Sequence, residues 1–254
     1  MRVNFSALSS MSVWGKLARW PLRLLPKGTV MRVLQGRLKG KKWIAGSSNH
    51  GCWLGSYEFG KQVIFGRVLR PGQVVFDIGA HVGFYTLLAS QQVGPEGTVV
   101  AFEPVPGNLA FLKRHLELNN VNNVLIFDCA VADTEGLAGF VLGCDSHMGH
   151  LGDSGGLAVR IVTLDGLIAA GQVPVPNVLK LDIEGAELAA LRGASQLLNI
   201  YHPVVFLATH GRKVHDDCVS LLAALGYRLQ AIDTESLEDA SEILAQQPID
   251  SRCS

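Results

Sequence analysis

Residues 74–83 are the first segment whose residue types could do chemistry. Apolar residues there are followed by an acid and two glycines. The segment VVFDIGAHVG is rich in β-branched and aromatic residues, so it predicts a buried strand that ends near Asp77. Gly79 and Gly83 follow, and glycines at such a turn let the backbone pass close to a ligand at the start of a helix. Tight packing of a helix on a strand would also need glycines, so the turn alone is weak evidence of a site.

Polar side chains also end three later predicted strands. Glu103 ends the second strand, where an acid can accept hydrogen bonds from both ribose hydroxyls of a nucleoside. Asp128 and Cys129 end the third strand, where an adenine amino group could bind. Asp182 and Glu184 follow the fourth. Packing alone would favour apolar residues at these positions, so the whole set predicts a ligand site at the carboxyl edge of a parallel sheet.

The elements that must position these residues alternate between strand and helix. A β-α-β-α-β run with short links predicts an α/β fold with a doubly wound, mostly parallel, Rossmann-like sheet. Residues 133–162 interrupt the alternation with two expected strands around a glycine-rich loop at 143–156. The strands expected in the main sheet have the sequences VVFDIG, TVVAFE, VLIFD, NVLKLDIEG, PVVFLATH and YRLQAI.

Charge is divided unevenly along the chain, although 22 Lys and Arg balance 22 Asp and Glu. Residues 1–70 hold 13 basic residues and one acid, a net charge of +12, and the rest hold 9 basic residues and 21 acids, a net charge of −12. Such asymmetry suggests segments with different partners or in mutual contact. We therefore expect a basic N-terminal helical and hairpin extension (1–70) packed on an α/β core (71–233), and an acidic C-terminal tail (234–254).

The basic segment allows three interpretations. It could be a solvated amphipathic cap over the sheet, with a helix over residues 8–26. Its interleaved Trp, Leu and basic residues would also suit an anionic acceptor, or peripheral contact with an anionic membrane through residues 1–42. Nucleic acid is the least favoured partner, because no recognised nucleic-acid module accompanies the charge. The sequence leaves the oligomeric state open.

Cysteine spacing and hydropathy exclude several classes of protein. The five cysteines show no CxxC or other regular spacing, which argues against a disulfide framework or a zinc ribbon. No apolar run approaches the roughly 18 residues of a membrane span, and the N-terminus is a poor match to a signal peptide. We therefore expect a cytoplasmic protein.

Several motifs occur together in this sequence. They are HGCWLGSYE at 50–58, VFDIGAHVGFYT, AFEP followed by Asn108, AVAD, VTLD at 162–165 and LKLDIEGAELAALRGA. On these motifs, over roughly residues 40–210, the chain resembles the FkbM family of class I S-adenosylmethionine-dependent methyltransferases. The resemblance implies a methyltransferase sheet, S-adenosylmethionine as the cofactor, and O-methylation of a hydroxyl on a small molecule or a glycan.

The resemblance also implies roles for individual residues. Glu103 would bind the ribose, Asp128 would lie near the adenine, and Asp182 would border the reacting methyl group. Members of the family often carry an acid shortly before the histidine of the last core strand, but here Leu-Ala-Thr precedes His210. The predicted cofactor-binding residues, from the motifs and the strand ends together, are Glu58, Asp77, Gly79, Ala80, Gly83, Glu103, Asp128, Cys129 and Asp182.

An alcohol acceptor must lose its proton, and three residues near predicted strand ends could accept it. They are His210, Asp182 and Glu184, of which His210 best matches neutral pH. His210 could equally be a histidine with a structural role at the sheet edge. Asp182 and Glu184 could instead bind Mg²⁺, but the sequence shows no third ligand, so no metal is predicted.

Two other functions stay open on the sequence. A nicotinamide-dependent oxidoreductase on a Rossmann sheet would need G-x-G-x-x-G, and the turn from Gly79 to Gly83 lacks the glycine that lets a pyrophosphate approach. The missing acid before His210 keeps open a cofactor-binding module without catalysis. Binding of S-adenosylhomocysteine or of NAD would separate these hypotheses.

Overall fold

The computed structural model describes residues 26–142, 149–151 and 157–248. Most of the helix expected at 8–26, and most of the loop expected at 143–156, lies outside these described residues. The strands are β1 (Val30–Arg32), β2 (Lys42–Ile44), β3 (Val74–Ile78), β4 (Thr98–Phe102), β5 (Val124–Phe127), β6 (Ala130–Val131), β7 (Gly136–Leu142), β8 (Gly149–Leu151), β9 (Leu157–Val162), β10 (Val178–Leu181), β11 (Val204–Ala208), β12 (Arg228–Ala231) and β13 (Glu242–Gln246). The helices are α1 (Gly51–Leu54), α2 (Phe59–Val68), α3 (Phe84–Val93), α4 (Pro106–Leu118), α5 (Leu164–Ala169), α6 (Glu187–Arg192), α7 (Ser195–Ile200) and α8 (Arg212–Ala224).

A seven-stranded sheet forms the centre of the fold. Its strand order is β12-β13-β11-β10-β3-β4-β5. The run from β11 to β5 is parallel throughout. Every residue of β10 is buried, as expected for a parallel strand covered on both faces. The prediction of a doubly wound, mostly parallel, Rossmann-like sheet is confirmed.

Two apolar cores cover the two faces of this sheet. One contains Phe65 of α2 and Leu112 of α4, and the other contains Leu222 of α8. Val75 of β3 joins the first core and Phe76 joins the second, because successive side chains of a strand point to opposite faces. Helices on both faces therefore hold the strands in place and leave the strand ends to form a site.

The C-terminal segment differs from the expected acidic tail at 234–254. Residues Glu242–Gln246 form β13, which pairs antiparallel with both β11 and β12. Ile243, Leu244 and Ala245 are buried there. The expectation of an acidic tail is therefore wrong for residues 242–246. Three consecutive apolar residues there are enough to form a buried strand between β11 and β12. The remaining domain boundaries stay a prediction.

Strands β6, β7, β8 and β9 form a separate four-stranded sheet of order β6-β9-β7-β8. Antiparallel β7 and β9 are the two strands that the sequence predicted in this region. β6 pairs parallel with β9 and begins directly after Cys129. The small sheet thus leaves the main sheet at the carboxyl end of β5.

A hairpin of β1 and β2 docks the basic segment on α4. Trp43 is fully buried and stacks on the ring of His115, with 3.9 Å between ring centroids. The backbone N–H of Ile44 donates to His115 Nε2 at 3.0 Å, and His115 Nδ1 lies 2.7 Å from the carbonyl oxygen of Val82. Since Nε2 accepts, the ring proton lies on Nδ1, and both bonds form only when the imidazole is neutral.

The predicted contact of residues 1–42 with an anionic membrane falls mostly on residues 1–25, outside the described part, and stays a prediction. In the described part of this segment Val33 and Leu38 are buried, whereas Val30 and Leu34 are exposed. Among the residues that the structure describes, no helix has the length and apolar character needed to cross a bilayer.

Stability should fall in acid because of His115. Burial lowers the pKa of His115 to about 4 from its usual 6.5. The unfolded chain therefore binds a proton that the folded chain excludes, and stability is lost as the pH falls from about 6.5 towards 4. Between pH 7 and pH 5 we expect this group to remove about 2 kcal/mol from the free energy of unfolding, at about 1.4 kcal/mol per pH unit.

Urea-induced unfolding at pH 7 and pH 5 measures this loss. His115→Gln should show a smaller pH dependence than the wild type, whereas His202→Gln, at an exposed position, should match the wild type. Equal pH dependence in the wild type and His115→Gln would contradict the assignment.

Candidate active site

A cavity of about 410 Å³ lies at the carboxyl ends of the central strands. Residues that follow β3, β4, β10 and β11 line it, as does the segment just before α2. Doubly wound sheets bind their ligands at this edge. Eight of the eleven residues predicted for the site line the cavity, namely Glu58, Gly79, Ala80, Glu103, Cys129, Asp182, Glu184 and His210.

The other three predicted residues, Asp77, Gly83 and Asp128, do not line the cavity. Asp77 is fully buried within the sheet. Gly83 has φ +92°, and a Cβ there would lie 2.5 Å from Leu112, so this glycine serves helix packing. Asp128 is exposed after β5, and Cys129 lines the cavity instead. The geometry thus gives Asp77 and Gly83 structural positions and leaves Asp128 outside the cavity wall.

The turn after β3 brings two strand ends into very close contact. Gly79 has φ +79°, and a Cβ there would lie 2.0 Å from the carbonyl oxygen of Asp182. A side chain at this position would fit neither the torsion nor the space. The N–H groups of Gly79 and Ala80 donate to the carbonyl oxygen of Phe102 at 3.0 and 2.9 Å. This glycine therefore fixes the cavity wall formed by the ends of β3, β4 and β10.

Glu103 is held firmly with its carboxylate at the cavity. Its Oε1 accepts from the N–H of Val105 at 2.9 Å and from Asn108 Nδ2 at 3.2 Å, and its Oε2 accepts from the N–H of His81 at 2.8 Å. Burial raises the pKa of Glu103, and these donors oppose that shift. Oε1 accepts two of these hydrogen bonds and Oε2 only one, so Oε2 keeps an accepting position that suits a ribose hydroxyl.

Lys180 of β10 is a buried ammonium that joins the strand ends. Its Nζ lies 3.1 Å from Asp77 Oδ1 and 3.7 Å from Asp182 Oδ2, and donates to the carbonyl oxygen of Gly79 at 3.2 Å. Burial alone would lower the pKa of Lys180, but the two carboxylates raise it above its usual value. Burial would raise the pKa of Asp182, but Lys180 and Lys61 lower it. Asp182 is therefore ionised at neutral pH.

Lys61 of α2 brings a second buried ammonium to Asp182 and to two further carboxylates. Its Nζ lies 2.5 Å from Glu242 Oε1, 3.5 Å from Glu58 Oε2 and 3.8 Å from Asp182 Oδ2. Tyr85 donates its hydroxyl to Glu58 Oε2 at 2.7 Å. Burial raises the pKa of Glu242 to about 7, although Lys61 opposes the shift. The basic and acidic parts of the chain thus meet in the site.

His210, two residues after β11, faces three carboxylates. Its Nδ1 lies 2.7 Å from Glu187 Oε1, and its Nε2 lies 3.8 Å from Asp182 Oδ1 and 3.6 Å from Glu184 Oε2. The hydrogen bond to Glu187 raises the pKa of His210, burial opposes the shift, and the three negative charges add to it. The imidazole is 35% exposed, so a molecule in the cavity can reach it. The structure therefore brings the three predicted proton acceptors together.

Asp182, Glu184 and His210 could also hold a metal ion, because one ligand atom from each lies within 4.8 Å of the others. His210 is the third donor that the sequence did not identify. Two ammonium groups already lie near Asp182, however, with Lys180 Nζ at 3.7 Å and Lys61 Nζ at 3.8 Å. Both ammonium groups would repel a divalent cation, which argues against a metal ion at this cluster.

Three residues that line the cavity adopt left-handed backbone torsions without being glycine. They are Glu58 with φ +42°, His81 with φ +50° and Glu184 with φ +54°. Each such torsion costs about 1–3 kcal/mol and persists only where the surroundings enforce it. Strain of this kind clusters at functional sites, so it supports the assignment of this cavity as the active site.

Four charged residues of this site were not singled out from the sequence: Lys61, Lys180, Glu187 and Glu242. Lys180 and Glu187 lie within the motif LKLDIEGAE, but a single sequence does not separate their buried side chains from exposed ones. Lys61 and Glu242 lie in the expected extension and the expected tail. Only tertiary structure brings these two residues to the site.

Comparisons with known proteins agree with this geometry. The family model of the methyltransferase FkbM domain matches residues 77–229. The hexuronic acid methyltransferase AglP of Haloferax volcanii is 26% identical over 153 residues, which cover 58% of this chain and 61% of that protein. The 31-O-demethyl-FK506 methyltransferase FkbM of Streptomyces tacrolimicus is 30% identical over 162 residues, which cover 50% of this chain and 62% of that protein. The match thus spans about three-fifths of these relatives' length.

Two solved structures share the fold. The methyltransferase FkbM from Methylobacillus flagellatus aligns with a TM-score of 0.51 at 17% identity, over 75% of this chain and 51% of that chain. A SAM-dependent O-methyltransferase from Thermotoga maritima aligns with a TM-score of 0.51 at 12% identity, over 90% of this chain and 81% of that chain. At these identities the likeness shows the fold alone. Because the family model covers more than half of the sequence, this chain belongs to the FkbM methyltransferase family.

Proposed function

We propose that this chain is an S-adenosylmethionine-dependent O-methyltransferase that acts on a hydroxyl group of a small molecule or a glycan. The observation that carries the proposal is Glu103, whose carboxylate is fixed by three donors at the cavity. An acid that follows the second strand of such a sheet suits the ribose of a nucleoside cofactor. Membership of a methyltransferase family favours S-adenosylmethionine as that cofactor.

The start of α3 favours this cofactor over a dinucleotide. A dinucleotide needs its pyrophosphate close to a glycine at a helix N-terminus. Gly83, which precedes α3, instead packs against Leu112 and does not line the cavity. A cofactor without a pyrophosphate has no such requirement. The same observation therefore weighs against the nicotinamide-dependent alternative.

The chemistry asks the protein chiefly for position and for a proton acceptor. When bound, S-adenosylmethionine supplies a methyl group that is already activated, so the C–S bond breaks as the O–C bond forms and S-adenosylhomocysteine leaves. His210 Nε2 takes the proton of the acceptor hydroxyl, while Asp182 and Glu184 stabilise the imidazolium that results. The cavity positions the acceptor and excludes water, which supplies most of the rate in such a displacement.

The relatives and this mechanism support the proposed acceptor class. The two curated relatives methylate a hexuronic acid and 31-O-demethyl-FK506. The first acceptor is a sugar acid. The second is a small molecule, and its name, 31-O-demethyl, says that one oxygen lacks a methyl group. We extend only their shared chemistry, an oxygen nucleophile on a small molecule or glycan, to this chain.

Replacing Glu103 with Gln should weaken cofactor binding. Gln keeps the size of the side chain but loses the charge that accepts the ribose hydroxyls, and hydrogen bonds to charged groups contribute about 1.5–3 kcal/mol. The affinity for S-adenosylhomocysteine should therefore fall roughly 10- to 100-fold in calorimetric titration of the full chain. Glu117→Gln on the exposed face of α4 is the matched control and should bind like the wild type. Wild-type binding of NAD without S-adenosylhomocysteine would contradict the proposal.

Replacing His210 with Ala should remove most methyl transfer and leave cofactor binding intact. A general base accelerates such a step by about 10²- to 10⁴-fold. The measurement is transfer of labelled methyl from S-adenosylmethionine to a panel of sugars and small alcohols, with S-adenosylhomocysteine titration as the control for binding. Unchanged turnover in the variant would exclude His210 as the proton acceptor.

A further inference from the structure

Glu187 is a buried carboxylate to which the chemistry above gives no role. It is the first residue of α6, and its side chain is fully buried. Its Oε1 accepts from the N–H of Gly185 at 3.1 Å and from the N–H of Ile183 at 3.4 Å, and it lies 2.7 Å from His210 Nδ1. A buried carboxylate is costly unless it is hydrogen-bonded, so these donors hold it in place.

The bond to Glu187 decides which nitrogen of His210 carries the proton. An ionised carboxylate only accepts hydrogen bonds, so Nδ1 must donate. In the neutral imidazole the lone pair then lies on Nε2. Nε2 is the atom that faces Asp182 and Glu184 at the cavity wall. Glu187 thereby turns the proton-accepting atom towards the cavity.

The same carboxylate also shapes the loop between β10 and α6. Its bonds to Ile183 and Gly185 span a turn in which Glu184 has φ +54° and Gly185 has φ +102°. A left-handed torsion at a residue other than glycine needs support from its surroundings. One buried oxygen therefore fixes both this loop and the imidazole that faces it.

We propose that Glu187 is a positioning residue for methyl transfer, which holds His210 in the tautomer whose Nε2 accepts the proton of the acceptor hydroxyl. The inference rests on the proposed function, in which His210 is the proton acceptor. Glu187 acts through the imidazole, because its side chain is buried and it does not line the cavity.

The charges around His210 give the sign of the expected pH effect. Glu187 from α6, and Asp182 and Glu184 from the loop after β10, face the imidazole directly. Behind them lie Lys180 of β10, Lys61 of α2 and Glu242 of β13. Loss of the Glu187 charge destabilises the imidazolium, so the pKa of His210 should fall. Because only the neutral imidazole accepts a proton, the rate rises with pH through this pKa, and Glu187→Gln should move that rise to lower pH.

NMR of the full chain with ¹⁵N-labelled histidine tests the inference without an acceptor. In the wild type, neutral His210 should carry its proton on Nδ1. Glu187→Gln should lower the pKa of His210 by about one unit. It should also increase the fraction with the proton on Nε2, because the Gln amide can donate as well as accept. His210→Asn assigns the signals, and Glu117→Gln is the control that should change neither quantity.

Two results would overturn the inference. One is neutral wild-type His210 with its proton on Nε2, a result that does not depend on the variant folding. The other is an unchanged pKa and tautomer in folded Glu187→Gln. Adding Mg²⁺ to the wild type is a further probe, and we expect it to leave the His210 signals unchanged. If the His210 signals no longer titrated with pH in the presence of Mg²⁺, His210 would be a metal ligand and the inference would be overturned.

Failure of the proposed function would look different. The wild type would then bind no S-adenosylhomocysteine and transfer no methyl group, whatever tautomer His210 adopts. Once an acceptor is found, Glu187→Gln should lower kcat about tenfold or more with little change in KM, because it alters the proton acceptor rather than the acceptor's binding surface. A change confined to KM would overturn the positioning role.

Discussion

The buried ammonium of Lys180 is the interaction on which the site depends. It contacts the carboxylates of Asp77 and Asp182 and the carbonyl oxygen of Gly79, so a single charge joins the ends of β3 and β10. Removing one partner from a buried ion pair costs about 3–5 kcal/mol. This constraint explains the position of Asp77, which lies away from the cavity but balances the charge that keeps Asp182 ionised beside it.

The site is assembled from both oppositely charged parts of the chain. Trp43 and His115 anchor the basic segment on α4. That segment then brings Lys61 to the carboxylates of Asp182 and Glu242 in the acidic part. Lys61 contacts Glu242 of β13, the strand that lies between β11 and β12. The zero net charge of the chain therefore conceals a charge-complementary contact that builds one wall of the cavity.

Strand ends could be predicted from the sequence, and side-chain partners across the fold could not. Glu103 and His210 were found because the carboxyl ends of parallel strands meet at one edge of the sheet. Asp128 and Cys129 were predicted together, and only Cys129 lines the cavity, because successive residues at a strand end face opposite ways. The bond between Glu187 and His210 joins a helix start to a strand end, a pairing that no local pattern encodes.

A structure of the full chain with S-adenosylhomocysteine bound tests the central claim most directly. That claim is that the carboxyl edge of the sheet holds the cofactor with its reacting group beside His210. We predict ribose hydroxyls hydrogen-bonded to Glu103 and a sulfur atom that faces Asp182 and His210 Nε2. A nucleoside bound away from Glu103, or a sulfur atom turned away from His210, would contradict the account.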